Sequence, residues 1–303
     1  MHPRPLPPSG EEPEPTGVPQ ERDYLVPPIR LPPTALGAGT SGGSEGDRQR
    51  YVVETQLSHS TVCVTYVARD LERVDRVVIK VVRPERVTAS TADHFGRRAH
   101  VFAALSHANL LPLTEIADAD GLLYYIRPYV QAETLANRLV AAPLPPREVE
   151  HLGEDLLNAL ETLHQRGIVH GSVKPTNIFF IAGRAVLTDP ALVYPDAQSE
   201  MDYAPPERVT GGDVTPQADL YALAIVLFEA FTARSWAAAR QTDRPDWSSV
   251  PPRISRVLRR ALASTPDERW PDVAAFRDSL SRARFDWGIL SLFRRWSHIA
   301  RSA

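Results

Sequence analysis

Lysine is almost absent from this sequence. Of its 34 lysine and arginine residues, only Lys80 and Lys174 are lysines. Arginine's planar fork suits carboxylates and surfaces, whereas an ammonium is a compact point charge. The two positions that keep it, at the end of RVVIK and inside VHGSVKPTNIFF, therefore ask for a chemical reason. The lone Cys63 excludes a disulfide framework or a cysteine-based zinc cluster, and it suits a reducing cytosol. In a β-branched run it reads as a small buried strand residue rather than a redox thiol.

Composition narrows the classes further. The 303 residues are 43% hydrophobic and 23% charged, enough for one large domain or two small ones. No apolar run reaches the roughly 18 residues of a membrane-spanning helix, and MHPRPLPPSG has no apolar leader core. A net charge of −3 gives no reason to expect a nucleic-acid partner.

The elements that must position these groups follow from periodicity. Residues 1–50 are rich in proline and glycine without an apolar period, which predicts a disordered tail. Its YLVPPIRLPP stretch reads either as a solvated arm or as polyproline II for an aromatic-lined groove. From Tyr51 three β-branched runs, YVVETQL, TVCVTYVARD and RVVIKVVRP, predict an antiparallel meander. Phe95, Ala99, Phe102 and Leu105 then recur at helical spacing, followed by strand candidates near 110–116 and 122–126. Beyond residue 131 the spacing is mainly helical. Val149, Leu152, Leu156, Leu160 and Leu163 mark one face, and DLYALAIVLFEAFTA is apolar nearly all round, as a central helix would be.

Five segments in order, RVVIK (76–80), VHGSVKPTNIFF (169–180), LTDPAL (187–192), YAPPE (203–207) and DLYALAIVLFE (219–229), resemble the signatures of eukaryotic-like protein kinases, particularly the bacterial Ser/Thr kinases. The resemblance spans about residues 51–282. It implies an α+β, bilobal fold. A small antiparallel sheet with one helix forms the N-lobe (51–130), and a larger helical C-lobe covers 131–284.

The resemblance also assigns roles that can be checked one at a time, because phosphoryl transfer demands positioning and charge compensation more than covalent chemistry. Lys80 falls on the phosphate-contacting lysine of V-A-I-K, and Lys174 on the lysine of the catalytic loop. Two lysines scattered among 34 basic positions would fall on both with odds of roughly one in 560. Asn177 and Asp189 fall on the two metal ligands, for Mg²⁺ or Mn²⁺ bound with ATP. The catalytic base, an aspartate in the family, is Ser172, whose neutral hydroxyl cannot take the substrate proton as a carboxylate does. The pattern D-F-G reads Asp189-Pro190-Ala191, and the loop Leu57–Tyr66 has none of the glycines that let backbone amides approach phosphate. Arg98 stands where the helix glutamate should pair with Lys80, and its charge would repel that lysine.

Around the expected adenine site, Val78, Phe179 and Arg127 are larger than the usual residues, provided the strand register is right, since a one-residue slip inverts every side chain. Glu207 with Arg269 matches a structural ion pair, and Asp219 the brace of the catalytic loop. The stretch from Asp189 to Glu207 is short, with only Tyr194, Ser199 and Tyr203 as hydroxyls, too little for a phosphorylation switch. The expectation is a cytoplasmic pseudokinase, a regulatory or scaffold module that binds ATP weakly and contacts a protein partner. The alternative is a low-activity Ser/Thr kinase with an atypical site. Residues 285–303 place Ile289, Leu292, Phe293, Trp296 and Ala300 on one helical face with Arg294, Arg295, His298 and Arg301 largely opposite. Such a helix suits an anionic membrane surface, a partner's groove, or the domain's own C-lobe.

Overall fold

A computed structural model describes residues 30–31, 50–119, 122–192, 202–242 and 245–283. Most of the expected N-terminal tail, the hydroxyls of Tyr194 and Ser199, and the amphipathic segment 285–303 lie outside the described residues. Within the tail region, Arg30–Leu31 forms a two-residue strand, β1, paired with the first long strand of the domain.

The β-branched runs form an antiparallel sheet from β2 (Tyr51–His59), β3 (Cys63–Asp70), β4 (Asp75–Val82), β5 (Glu115–Ala119) and β6 (Leu122–Pro128), in the order β1-β2-β3-β4-β6-β5. Register fixes what each face carries. Val78 pairs with Arg127 and Lys80 with Tyr125, while Val77, Ile79 and Val81 join Tyr66, Tyr124 and Ile126 in a core on the opposite face. Alternation therefore sends Val78, Lys80, Tyr125 and Arg127 to one side of the sheet, as the sequence register required.

Helix α1 (Ala89–Ala103) begins where the Thr88 hydroxyl accepts from the Thr91 amide, satisfying one free N–H of the first turn. It buries Phe95, Ala99 and Phe102. Below the sheet lie α2 (Leu135–Ala141), α3 (Pro146–His164), the hairpin β7 (Ile178–Ile181) and β8 (Arg184–Leu187), α4 (Pro206–Val209), α5 (Pro216–Thr232), α6 (Trp236–Ala239), α7 (Pro252–Ala261) and α8 over 273–283. Every residue of α5 from Ala218 to Phe231 is buried, so this helix is the axis of the lower lobe. α3 packs its Leu152, Leu156, Leu160 and Leu163 face into the same core.

Candidate functional site

The loop between α3 and β7 carries Ser172, Lys174 and Asn177, and Asp219 of α5 fixes it from below. The Asp219 carboxylate accepts from the backbone amides of His170 (2.7 Å) and Gly171 (2.8 Å), and pairs with His164 Nε2 (2.8 Å). These bonds satisfy buried amides that no regular element could satisfy. A second anchor holds the segment after the hairpin. Arg269, whose side chain is fully buried, donates Nη1 and Nη2 to the two Glu207 oxygens at 2.7 and 2.6 Å, a bidentate pair. Both structural parts stand where the sequence put them.

Lys80, Ser172 and Asp189 line one cavity between sheet and lower lobe, together with Ser60, Cys63 and Tyr125. Asn177 reaches it indirectly, donating Nδ2 to Ser172 Oγ and Ser172 O, both at 2.9 Å. Lys174 opens the 3₁₀ turn Pro175–Asn177 and takes no part in the cavity wall. Cys63, expected to be a buried strand residue, is only partly buried and faces this space. About 40 Å³ remains inside it, room for a few waters, where ligand pockets typically enclose about 300–1,000 Å³.

Arg127 reaches Asp189, one wall of this cavity, from β6. Its Nε donates to Asp189 Oδ1 at 2.8 Å and its Nη2 to Oδ2 at 3.2 Å, while Tyr125 Oη donates to Oδ1 at 3.1 Å. Arg127 is 5% and Asp189 9% exposed. The guanidinium also lies over the Phe179 ring, 5.8 Å from its centre, so two of the three oversized residues pack against each other. Burial alone would push the Asp189 carboxyl up. The Arg127 charge, a smaller effect of Lys80, and the bonds from Arg127 and Tyr125 outweigh it and hold the group well below the usual carboxylate range. Tyr125, buried beside this carboxylate, is pushed well above an ordinary phenol. Asp189 also sits at φ +57°, a left-handed conformation that costs a non-glycine residue about 1–3 kcal/mol where surroundings enforce it.

Sequence reasoning treated Asp189 as an open metal ligand and Arg127 only as bulk; the structure makes them partners. The signal was partial: Arg127 and Tyr125 share a face with Lys80 by strand alternation, but nothing in the linear sequence sets Asp189 against them. As arranged, the residues do not fit an ATP–metal complex. Both Asp189 oxygens already accept from Arg127, so a cation would have to compete with a guanidinium for its carboxylate ligand, although the Asn177 bonds to Ser172 use Nδ2 and leave its metal-ligating Oδ1 uncommitted by them.

The remaining departures are built in as well. The turn between β2 and β3 closes on itself. Ser60 N donates to Cys63 O at 2.8 Å, and Ser60 Oγ accepts from the amides of Val62 (3.2 Å) and Cys63 (3.1 Å). Amides that a glycine-rich loop would aim at phosphate are spent on a serine. Arg98 of α1 does not confront Lys80: its Nη2 donates to Val169 O beside the catalytic loop. One helical turn on, Phe102 meets the edge of His170, ring centres 6.3 Å apart. Burial, aided by Arg98 and opposed by Asp219, lowers His170 to about 4, so it is neutral, with Nδ1 accepting from the Ser172 amide at 3.2 Å.

Residues 51–280 match the family model described as "Protein kinase domain". The chain is 28% identical over 248 residues to the serine/threonine-protein kinase PrkC of Bacillus subtilis, covering 73% of this chain and 38% of that protein. It is 29% identical over 270 residues to PknB of Mycolicibacterium smegmatis, covering 77% and 43%. The chain thus spans about two fifths of the length of these curated relatives. Among solved structures, the Mycobacterium tuberculosis PknI kinase domain superposes with a TM-score of 0.65 at 27% identity, covering 80% of this chain and all of that one.

Proposed function

The chain belongs to the protein kinase domain family, and we propose that within it this protein is a pseudokinase, a regulatory or scaffold module in cytoplasmic signalling that works by contact with a protein partner. One observation carries the reading: the buried Arg127–Asp189 pair occupies the cleft in which the family uses ATP and a divalent cation. Nucleotide enters only after Arg127 leaves Asp189, and removing a partner from a buried pair costs about 3–5 kcal/mol. ATP binding is correspondingly weak. Ser172, with its hydroxyl held by Asn177, offers no carboxylate to receive a substrate proton.

A second reading, an ATP-dependent Ser/Thr kinase with an atypical site, has one observation in its favour: Lys80, Ser172 and Asp189 still face a common space. Transfer of labelled γ-phosphate to a protein hydroxyl, with Mg²⁺ or Mn²⁺, separates the two. The wild type should transfer no more than Lys80→Ala or Asp189→Ala, and millimolar ATP should stabilise it by far less than the roughly 2.7 kcal/mol of a site at one hundred times its Kd. Robust cation-dependent transfer, abolished by both substitutions, would establish the enzyme instead.

A further inference from the structure

We propose that the lower lobe carries an arginine-lined cleft that receives phosphate headgroups of an anionic membrane surface. The cleft lies between α7 and α8, has a volume of about 500 Å³, and is lined by Arg253, Arg256, Arg260, Trp270, Ser279 and Arg282 among others. This inference is independent of the nucleotide-site reading.

Helical spacing produces it. Arg253, Arg256 and Arg260 stand at i, i+3 and i+7 of α7, one exposed stripe with Val257 beside it in the cleft wall, while Ile254, Leu258 and Ala261 turn into the core. Arg260 lies 3.9 Å above the Trp270 ring and donates Nε to Glu268 O at 3.3 Å, which orients both groups in the cleft wall. Trp270 is itself fixed by its Nε1 bond to Val257 O at 3.1 Å. Arg282 enters from α8, and its nearest ion pair, Asp278 at 3.7 Å, is largely exposed and weak. None of the described lining residues is acidic. Four guanidinium groups around an indole and a hydroxyl, in a chain with net charge −3, make a local oxyanion receptor.

The choice of a membrane over a soluble phosphate rests on what the cleft adjoins. Its wall includes Arg282 and Ala283, and the sequence runs on directly into 285–303, with Arg294, Arg295 and Arg301 beside Ile289, Leu292, Phe293 and Trp296. The second cationic, aromatic stretch thus follows in the sequence directly on residues that line the first. A run of exposed arginines beside such a stretch is the charge pattern that anionic lipid headgroups attract.

The test uses the full chain and vesicles of phosphatidylcholine alone or with about one-third phosphatidylglycerol. The wild type should bind the anionic vesicles and lose that binding as salt rises. Arg253→Gln, Arg256→Gln and Arg282→Gln combined should weaken it at least tenfold, since each arginine near such a surface contributes about fivefold. Arg256→Glu alone should weaken it too. All three arginines are exposed, so the melting temperature should not change. A chain with 285–303 deleted should retain arginine-dependent binding. Three results would overturn the proposal: a wild type that ignores the anionic vesicles, a triple variant that binds them as the wild type does, or arginine-dependent binding of inorganic phosphate without vesicle binding.

Discussion

Arg127→Leu removes the positive half of the pair that closes the cleft, and its effects follow from the burial of both partners. The side chains are 6% and 12% exposed, so water does little to replace the lost contacts. Lys80, the next positive charge, forms no ion pair with Asp189 among the described residues. An uncompensated buried carboxylate costs about 3–5 kcal/mol, or about 6–20 °C of melting temperature for a domain of this size. Asp189 then titrates differently. In the wild type its lowered pKa stabilises the fold above the ordinary carboxylate value, and that contribution is lost as pH falls below about 4. In the variant, burial pushes the carboxyl upward, so the penalty should be largest at pH 8 and shrink towards pH 5 as Asp189 takes up a proton. Adding Asp189→Asn removes the stranded charge and keeps a residue type that tolerates φ +57°, so the double variant should regain at least half of the loss. Urea denaturation of the four proteins at both pH values measures the cycle. A single-variant cost below about 1 kcal/mol, or a double variant no more stable than the single, would show that the pair does not hold the lobes closed.

Two further perturbations probe the rest of the frame. His170 is neutral when folded, with its pKa lowered to about 4 against an ordinary 6.5. The unfolded chain therefore binds more protons between those values, and stability should fall as pH drops through that window by up to about 3 kcal/mol; His170→Asn should flatten this part of the curve in pH-dependent unfolding. At the other anchor, Arg269→Ala strands Glu207 and leaves the carbonyls of Ala263 and Ser264 without their donor. Chemical denaturation should register a loss of about 3–5 kcal/mol, and a loss under 1 kcal/mol would mean the segment is held elsewhere.

Much of this was legible in the chain itself, because it rests on order and period. Strand alternation put Val78, Lys80 and Arg127 on one face, and the all-round apolar pattern of 219–233 marked the buried axis. The substitutions at Ser172, Pro190 and the glycine-free loop are read directly from residue identity. Pairing is different, because it depends on which side chains converge across distant segments. Arg127 and Asp189 lie 62 residues apart and meet only once the sheet stacks on the hairpin. Arg98 leaves Lys80 for Val169, 71 residues away, because a long flexible side chain takes the acceptor that packing offers. In the Ser60 turn, local geometry decided whether the backbone amides face outward to a ligand or back to a side chain. Linear sequence supplied which charges exist; three-dimensional packing determined which of them neutralise each other, since Coulomb attraction acts through space and strengthens where water is excluded.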